Sequence, residues 1–305
     1  MPEPFPPGPF GGPVTREDVV ARIEAHPVEG PPAAMRAAFE RLVLGAVPRG
    51  APDLGAIGAA MGVEVAPGPG LPPGLAVTPV GGAAGAPVIW LHGGGYAFGS
   101  PETHLRPAAA LARMTGRRVV LPRYPLAPEA TWPTPLDHAL GVARGLGGPV
   151  VLAGDSAGGH LALVAALALA RAGAPAAALL LFSPNTDRTG ASGTRGPMSA
   201  ADPMVDDDAD AALARLMFGD VRAGHPHVSP LGDDLSLLPP THVEVGDPEV
   251  LLDDSRLLAE RAAAAGAAAT LHVEPGLLHM AQLWTPWWPA ADASLARAAA
   301  RLRDA

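Results

Sequence analysis

Gly154-Asp155-Ser156-Ala157-Gly158 sets a serine midway between two glycines, directly after the apolar run Val150-Val151-Leu152-Ala153. A strand that doubles back into a helix over so few residues needs side chains removed where the backbones approach, and glycines two residues either side provide that. The serine hydroxyl is then lifted clear at the tip of the turn, where it can serve as a nucleophile once a base takes its proton. A serine that merely caps the following helix fits the same residues. In a chain with 37 glycines the spacing needs partners elsewhere.

Two other regions offer them. His92-Gly93-Gly94-Gly95 follows the apolar run 87–91, and three glycines in a row expose backbone N–H groups with no Cβ in the way, as an oxyanion requires. Asp247 and Glu249 follow the run 241–246, and Pro275-Gly276-Leu277-Leu278-His279 follows the run 269–274. Serine, then acid, then histidine is the chain order used by α/β-hydrolases, in contrast to other triad enzymes.

The elements that must position these groups alternate. Apolar runs at 75–80, 87–91, 117–122, 149–153, 177–182, 241–246 and 269–274 read as strands. Helical patterns cover 103–115, 134–146, 156–173, 251–265 and about 290–303. The alternation predicts a mainly parallel central sheet with helices on both faces, and such sheets do their chemistry beyond the carboxyl ends of the strands. Before the first strand come a Pro/Gly arm at 1–13 and two short helices, 15–25 capped by Thr15 and 32–44. Residues 184–230 break the rhythm with a long polar loop and one helix near 207–217.

Composition narrows the chemistry further. The formal charge of −9 argues against a nucleic-acid partner, which needs a basic stripe. All 21 basic residues are arginine, so Schiff-base, Walker-type and Ser-x-x-Lys chemistry are excluded. The absence of cysteine removes disulfides, thiol nucleophiles and Cys-bound zinc. The opening 14 residues carry neither the basic stretch nor the apolar core of an export signal, and no apolar run is long enough to span a bilayer, so a cytoplasmic location and no membrane partner are expected. Glycine and proline, 37 of each, make up close to a quarter of the chain, but the prolines mostly punctuate periodic segments.

His92 to Gly95, Tyr124-Pro125-Leu126-Ala127-Pro128-Glu129, Gly154 to Gly159, the segment 229–247 and Leu277-Leu278-His279-Met280 together resemble the hormone-sensitive lipase family of α/β-hydrolase carboxylesterases, over roughly residues 75 to 285. The resemblance implies an α/β-hydrolase fold with a helical cap over the site and hydrolysis of small-molecule carboxylic esters by a serine nucleophile, with no cofactor and no metal. It divides the chain into an arm and cap at 1–50 and a catalytic domain at 51–305, with 184–225 a candidate second cap element. By the same resemblance Ser156 is the nucleophile, His279 the general base, and the N–H groups of Gly93, Gly94 and Ala157 the oxyanion hole. His92 and Asp155 are expected to support the site from behind, Asp155 through bonds to nearby backbone.

The acid has two candidates. Counting back from the helix end at Ala265-Gly266 selects Glu249, while matching the Asp-Pro pair selects Asp247; Glu249 is preferred because helix length is less elastic than a loop. Asp253 and Asp254 fit the first turn of the helix that follows, where the macrodipole favours them. His272 lies within a strand and His160, His225 and His227 match no family role. Arg123 and Pro125 stand where the family usually shows an acid and an arginine, so an ion pair at that turn is expected to be lost. Trp284, Trp287 and Trp288 are expected to pack in the core, with a substrate-facing wall as the alternative. Apolar side chains of the cap regions, among them Phe39, Leu42, Leu213, Met217 and Phe218, are expected to wall an acyl pocket that suits short to medium chains. Amide, carbamate or lactone hydrolysis on the same triad, or a receptor that has lost catalysis, are the alternatives. The chain is expected to be a monomer or homodimer.

Overall fold

A computed structural model describes residues 8–45, 52–70 and 72–303. The first seven residues of the expected arm at 1–13 and the expected domain boundary at 50/51 lie outside the described residues. The chain opens with α1 (Arg16–Ala25), α2 (Pro32–Leu44) and α3 (Leu54–Ala60), followed by β1 (Val63–Pro67), β2 (Leu75–Pro79) and β3 (Val88–Leu91). Strict alternation follows through α4 (Leu105–Thr115), β4 (Val119–Leu121), α5 (Thr134–Gly145), β5 (Val151–Asp155), α6 (Ala157–Arg171) and β6 (Ala178–Phe182). The short α7 (Arg195–Met198) and α8 (Asp207–Phe218) interrupt it before β7 (Thr241–Gly246), α9 (Leu252–Ala264), β8 (Ala269–Glu274) and α10 (Pro289–Ala300).

The eight strands form one sheet in the order β1-β2-β4-β3-β5-β6-β7-β8. β2 runs antiparallel to both its neighbours and all other pairs are parallel. α3 and β1 are additions to the sequence reading: five residues at a sheet edge, of which only Val63 is buried, leave little periodic signal. α1 starts where Thr15 predicts it, because the Thr15 hydroxyl accepts from the Asp18 N–H while the Asp18 carboxylate accepts from the Thr15 N–H.

Strand residues sort cleanly between the two faces. Ile89, Leu91, Leu152, Leu179, Leu181 and Val243 pack beneath α5, α6 and α9. Val88, Trp90, Val151, Ala153 and Leu180 pack beneath α3, α4 and α10. Burial on both faces explains why these strands read as continuous apolar runs. A third apolar cluster joins α1 and α2 to the segment after β8 through Val19, Phe39, Leu42, Leu278 and Trp284.

The sheet order also places the chemistry. From β3 the chain first moves outward to β4, then crosses back to put β5 on the other side of β3. Strand order reverses at this point, and the crevice beyond the carboxyl ends of β3 and β5 is where open α/β sheets bind ligands. Leu91 and Gly154 are register partners, so the glycine loop and the serine turn open side by side.

Candidate active site

Ser156 occupies the turn between β5 and α6 with φ 53° and ψ −122°, a conformation that side chains rarely adopt. The turn is locked from the neighbouring strand, since the Ser156 N–H donates to the Phe182 carbonyl at 3.0 Å and the Ser156 carbonyl accepts from Asn185 and His160. The flanking glycines are demanded by close approach: a Cβ on Gly158 would lie 2.0 Å from the Leu91 carbonyl oxygen and one on Gly154 2.3 Å from that of Gly158. Gly158→Ala is therefore expected to destabilise the protein by about 2 kcal/mol through overpacking against backbone that cannot move alone. A fall in the urea unfolding midpoint checks this, and an unchanged midpoint contradicts it.

β7 and β8 supply the other two groups. Gly246 ends β7, where a Cβ would lie 1.8 Å from the Leu277 carbonyl oxygen, and its N–H donates to Glu249 Oε1 at 2.5 Å. The second carboxylate oxygen, Oε2, lies 2.9 Å from His279 Nδ1. Both residues are buried, with 0% of Glu249 and 1% of His279 exposed. His279 Nε2 has no hydrogen-bond partner within the protein, and His279 and Ser156 line the same cavity. Burial works against a protonated imidazole, but Glu249, with Asp202 and Asp155 beyond it, holds the His279 pKa above the usual histidine value.

Asp247 is not part of this group. It is exposed and its carboxylate accepts from the Gly276 N–H at 2.8 Å, bracing the loop that carries His279. His272 pairs with Glu274 on β8. Asp253 bonds Arg256 in the first turn of α9, while Asp254 is buried and holds the N–H groups of Thr186 and Asp187 and the guanidinium of Arg195.

Behind the serine, Asp155 accepts from Trp90 Nε1 at 2.8 Å and from the Gly93 N–H at 3.1 Å, and lies 3.1 Å from His104 Nε2. Burial opposes its ionisation, yet the His104 ring and the Trp90 donor hold its pKa below the usual aspartate value. The bond to Gly93 bears on the expected oxyanion set. The Gly93 N–H is already committed to a carboxylate, and it is Gly94 and Gly95, with φ 116° and 56°, that line the cavity beside Ser156. Ala157 opens the 15-residue α6, so its N–H lies at the positive end of a long helix dipole.

His92 stacks on Tyr124 with ring centroids 4.3 Å apart, and Tyr124 donates its hydroxyl to the His92 carbonyl at 2.6 Å. Burial, aided by His104, pushes the His92 pKa down to about 3, so the ring is a neutral strut under the glycine loop. His160 is likewise buried, lies 2.6 Å through Nδ1 from the Tyr96 hydroxyl, and is pushed down to about 3 by burial. His225 and His227 pack edge to face, with Trp132 Nε1 donating to His227.

The surroundings bear on three further expectations. An ion pair does form at the turn after β4: Arg123 reaches Glu102, just before α4, so the charges come from a different pair of positions. The three tryptophans are buried and outside the cavity lining, as core packing requires. The cavity measures about 300 Å³ and takes walls from α1 and α2 (Ile23, Phe39, Leu42) and from the α8 region (Met204, Leu213). Met217 and Phe218 are not among its walls, because the end of α8 turns toward Tyr96 and Trp132 and packs there.

Asp202, ahead of α8, also lines the cavity and had no signature in the sequence. A carboxylate oxygen of Asp202, one of Glu249 and a ring nitrogen of His279 lie within 4.8 Å of one another, the grouping among the described residues that could hold a metal ion. With His279 Nδ1 and Glu249 bonded to each other, the arrangement matches what a serine nucleophile needs from its base and acid. Among the described residues no helix is long and apolar enough to cross a membrane.

The chain is similar to known hydrolases. The chain is 34% identical to an acetyl-hydrolase of Streptomyces hygroscopicus over 72% of its own length and 76% of that protein. It is 34% identical to an esterase of Acinetobacter venetianus over 68% and 72%. A crystal structure of an esterase from the bacterial hormone-sensitive lipase family superposes with a TM-score of 0.84 at 32% identity, covering 95% of this chain and 97% of the other. Since residues 88–283, more than half the chain, also match the family described by the alpha/beta hydrolase fold, the protein belongs to the hormone-sensitive lipase family of α/β-hydrolase carboxylesterases.

Proposed function

We propose that this carboxylic ester hydrolase cleaves short to medium acyl esters, roughly C2 to C8, through an acyl-enzyme on Ser156. His279 Nε2 takes the hydroxyl proton as Ser156 attacks the ester carbonyl, and Glu249 holds the imidazole tautomer through Nδ1 and stabilises the imidazolium. The developing oxyanion is received by the N–H groups of Gly94, Gly95 and Ala157, each worth about 3 kcal/mol in a preorganised site. Gly93 takes no part, its N–H being held by Asp155. The imidazolium then protonates the departing alcohol, and water, deprotonated by the same ring, releases the acid and restores the serine. The observation that carries this reading is the 2.9 Å bond from His279 to Glu249, with the opposite ring nitrogen unbonded in a cavity that Ser156 shares.

The substrate size rests on the cavity. At about 300 Å³ it sits at the lower end for small-molecule sites, and Phe39, Leu42 and Leu213 line it. The acetyl-hydrolase among the relatives supports a small acyl group. In this reading α1, α2 and the 184–225 segment act as the cap, and the enzyme is cytoplasmic, monomeric or homodimeric. p-Nitrophenyl esters from acetate to palmitate test it: kcat/KM is expected to peak between acetate and octanoate and to fall at least about 100-fold by palmitate, several methylenes beyond what the walls accept. Faster turnover of emulsified long-chain triglyceride than of dissolved butyrate ester contradicts it.

A further inference from the structure

Asp202 is a buried carboxylate that the triad scheme does not use. Only 6% of it is exposed, and it stands in the loop between α7 and α8, more than forty residues before Glu249 in sequence. Its Oδ1 accepts from the N–H groups of Met204 at 2.9 Å and Val205 at 3.2 Å, which fixes its rotamer. Its Oδ2 accepts from the Val250 N–H at 3.1 Å, the far side of the peptide that Glu249 begins. Burial and the Glu249 charge favour the protonated form of this carboxylate, while the N–H donors around it favour the ionised one. Two anions this close together are costly unless a positive charge appears between them, and in this cavity that charge is the imidazolium of His279, within 4.8 Å of both.

We propose that Asp202 is a positioning residue for the ester hydrolysis, holding the peptide that carries Glu249 and adding a second negative charge that stabilises the His279 imidazolium as Ser156 attacks. The inference rests on the assignment of His279 and Glu249 given above. The charged groups bearing on His279 are Glu249 after β7, Asp202 before α8 and Asp155 at the end of β5, itself paired with His104. Burial raises the Asp202 carboxyl, and the neighbouring Glu249 charge adds to that, while His279 acts in the opposite direction. The base must be neutral to accept a proton, so kcat/KM falls as pH drops through the His279 pKa. Removing the Asp202 charge lowers that pKa and moves the limb to lower pH.

Asp202→Asn removes the charge and keeps one acceptor oxygen, which can still accept from Val250 with the amide nitrogen turned toward the Met204 and Val205 N–H groups. With dissolved p-nitrophenyl butyrate, the acidic limb of kcat/KM is expected to move down by about one pH unit and plateau kcat to fall about tenfold, with KM little changed. Asp202→Ser, the second variant, should give the same displacement of the limb with a further loss in kcat, since the bond to Val250 is weakened too. A limb that coincides with the wild type in a folded variant, or that moves to higher pH, overturns the proposal. His279→Ala and Glu249→Gln run alongside: if they keep wild-type turnover, the underlying assignment fails, whereas if they are crippled and the Asp202 limb is unmoved, only the role of Asp202 fails.

Discussion

Ser156→Ala is expected to lower kcat for p-nitrophenyl butyrate by at least about 10⁴-fold while leaving the fold intact, because losing the nucleophile of a triad removes the covalent route altogether. The structure explains why stability should be spared. The bonds that hold the turn, to Phe182, Asn185 and His160, all use the backbone of residue 156. Alanine keeps the Cβ, so it meets the same positive-φ strain as serine, and only one oxygen is removed. The urea midpoint should stay within about 0.5 kcal/mol of the wild type, as expected for a change that breaks no packing. Turnover by the variant within tenfold of the wild type, in a preparation free of other esterases, contradicts a serine mechanism.

The second large effect separates the roles of two carboxylates, Asp247 and Glu249, that have only Pro248 between them. Glu249→Gln keeps the shape of the side chain and removes its charge, so the imidazole loses both the partner that fixes its tautomer and the anion that balances its charge. A fall in kcat of about 10³-fold or more is expected, in line with charge-removing substitutions of a triad acid. Asp247→Asn should stay within about threefold of the wild type, because Asp247 is exposed and its bond to the Gly276 N–H needs only an oxygen acceptor. Parallel kinetics on the two variants check the pair of expectations, and the reverse order of effects would move the acid to Asp247.

Those two residues also show what a sequence can and cannot carry. Helix α9 is a rigid ruler: its end at Ala265-Gly266 is marked by a glycine with φ 83°, and counting back one helix reaches Glu249, the carboxylate that meets His279. The strand ends and the central sheet were legible for a similar reason, since burial on both faces leaves long apolar runs. The three glycines after β3 are different. Nothing in their types distinguishes Gly93 from Gly95, and what sets Gly93 apart is the Asp155 carboxylate, which reaches across from β5 to take its N–H. Asp202 is hidden for the same reason. It comes to the site from a loop whose course is set by tertiary contacts, among them the buried cluster that joins Arg195 to Asp210 and Asp254. The end of α8 shows the limit for walls: Leu213 lines the cavity, yet about one helical turn on Met217 is buried in the core and Phe218 packs against Tyr96 and Trp132.

The most direct measurement is the mass of the trapped intermediate. Because the chain has no lysine, trypsin cuts it only after arginine, and residues 145–171 come off as one peptide containing Ser156. Rapid acid quench during turnover of p-nitrophenyl butyrate, or reaction with a fluorophosphonate, should add one acyl or phosphonyl group per chain, located on Ser156 within that peptide and absent from Ser156→Ala. An adduct on any other residue, or equal labelling of the variant, contradicts the account.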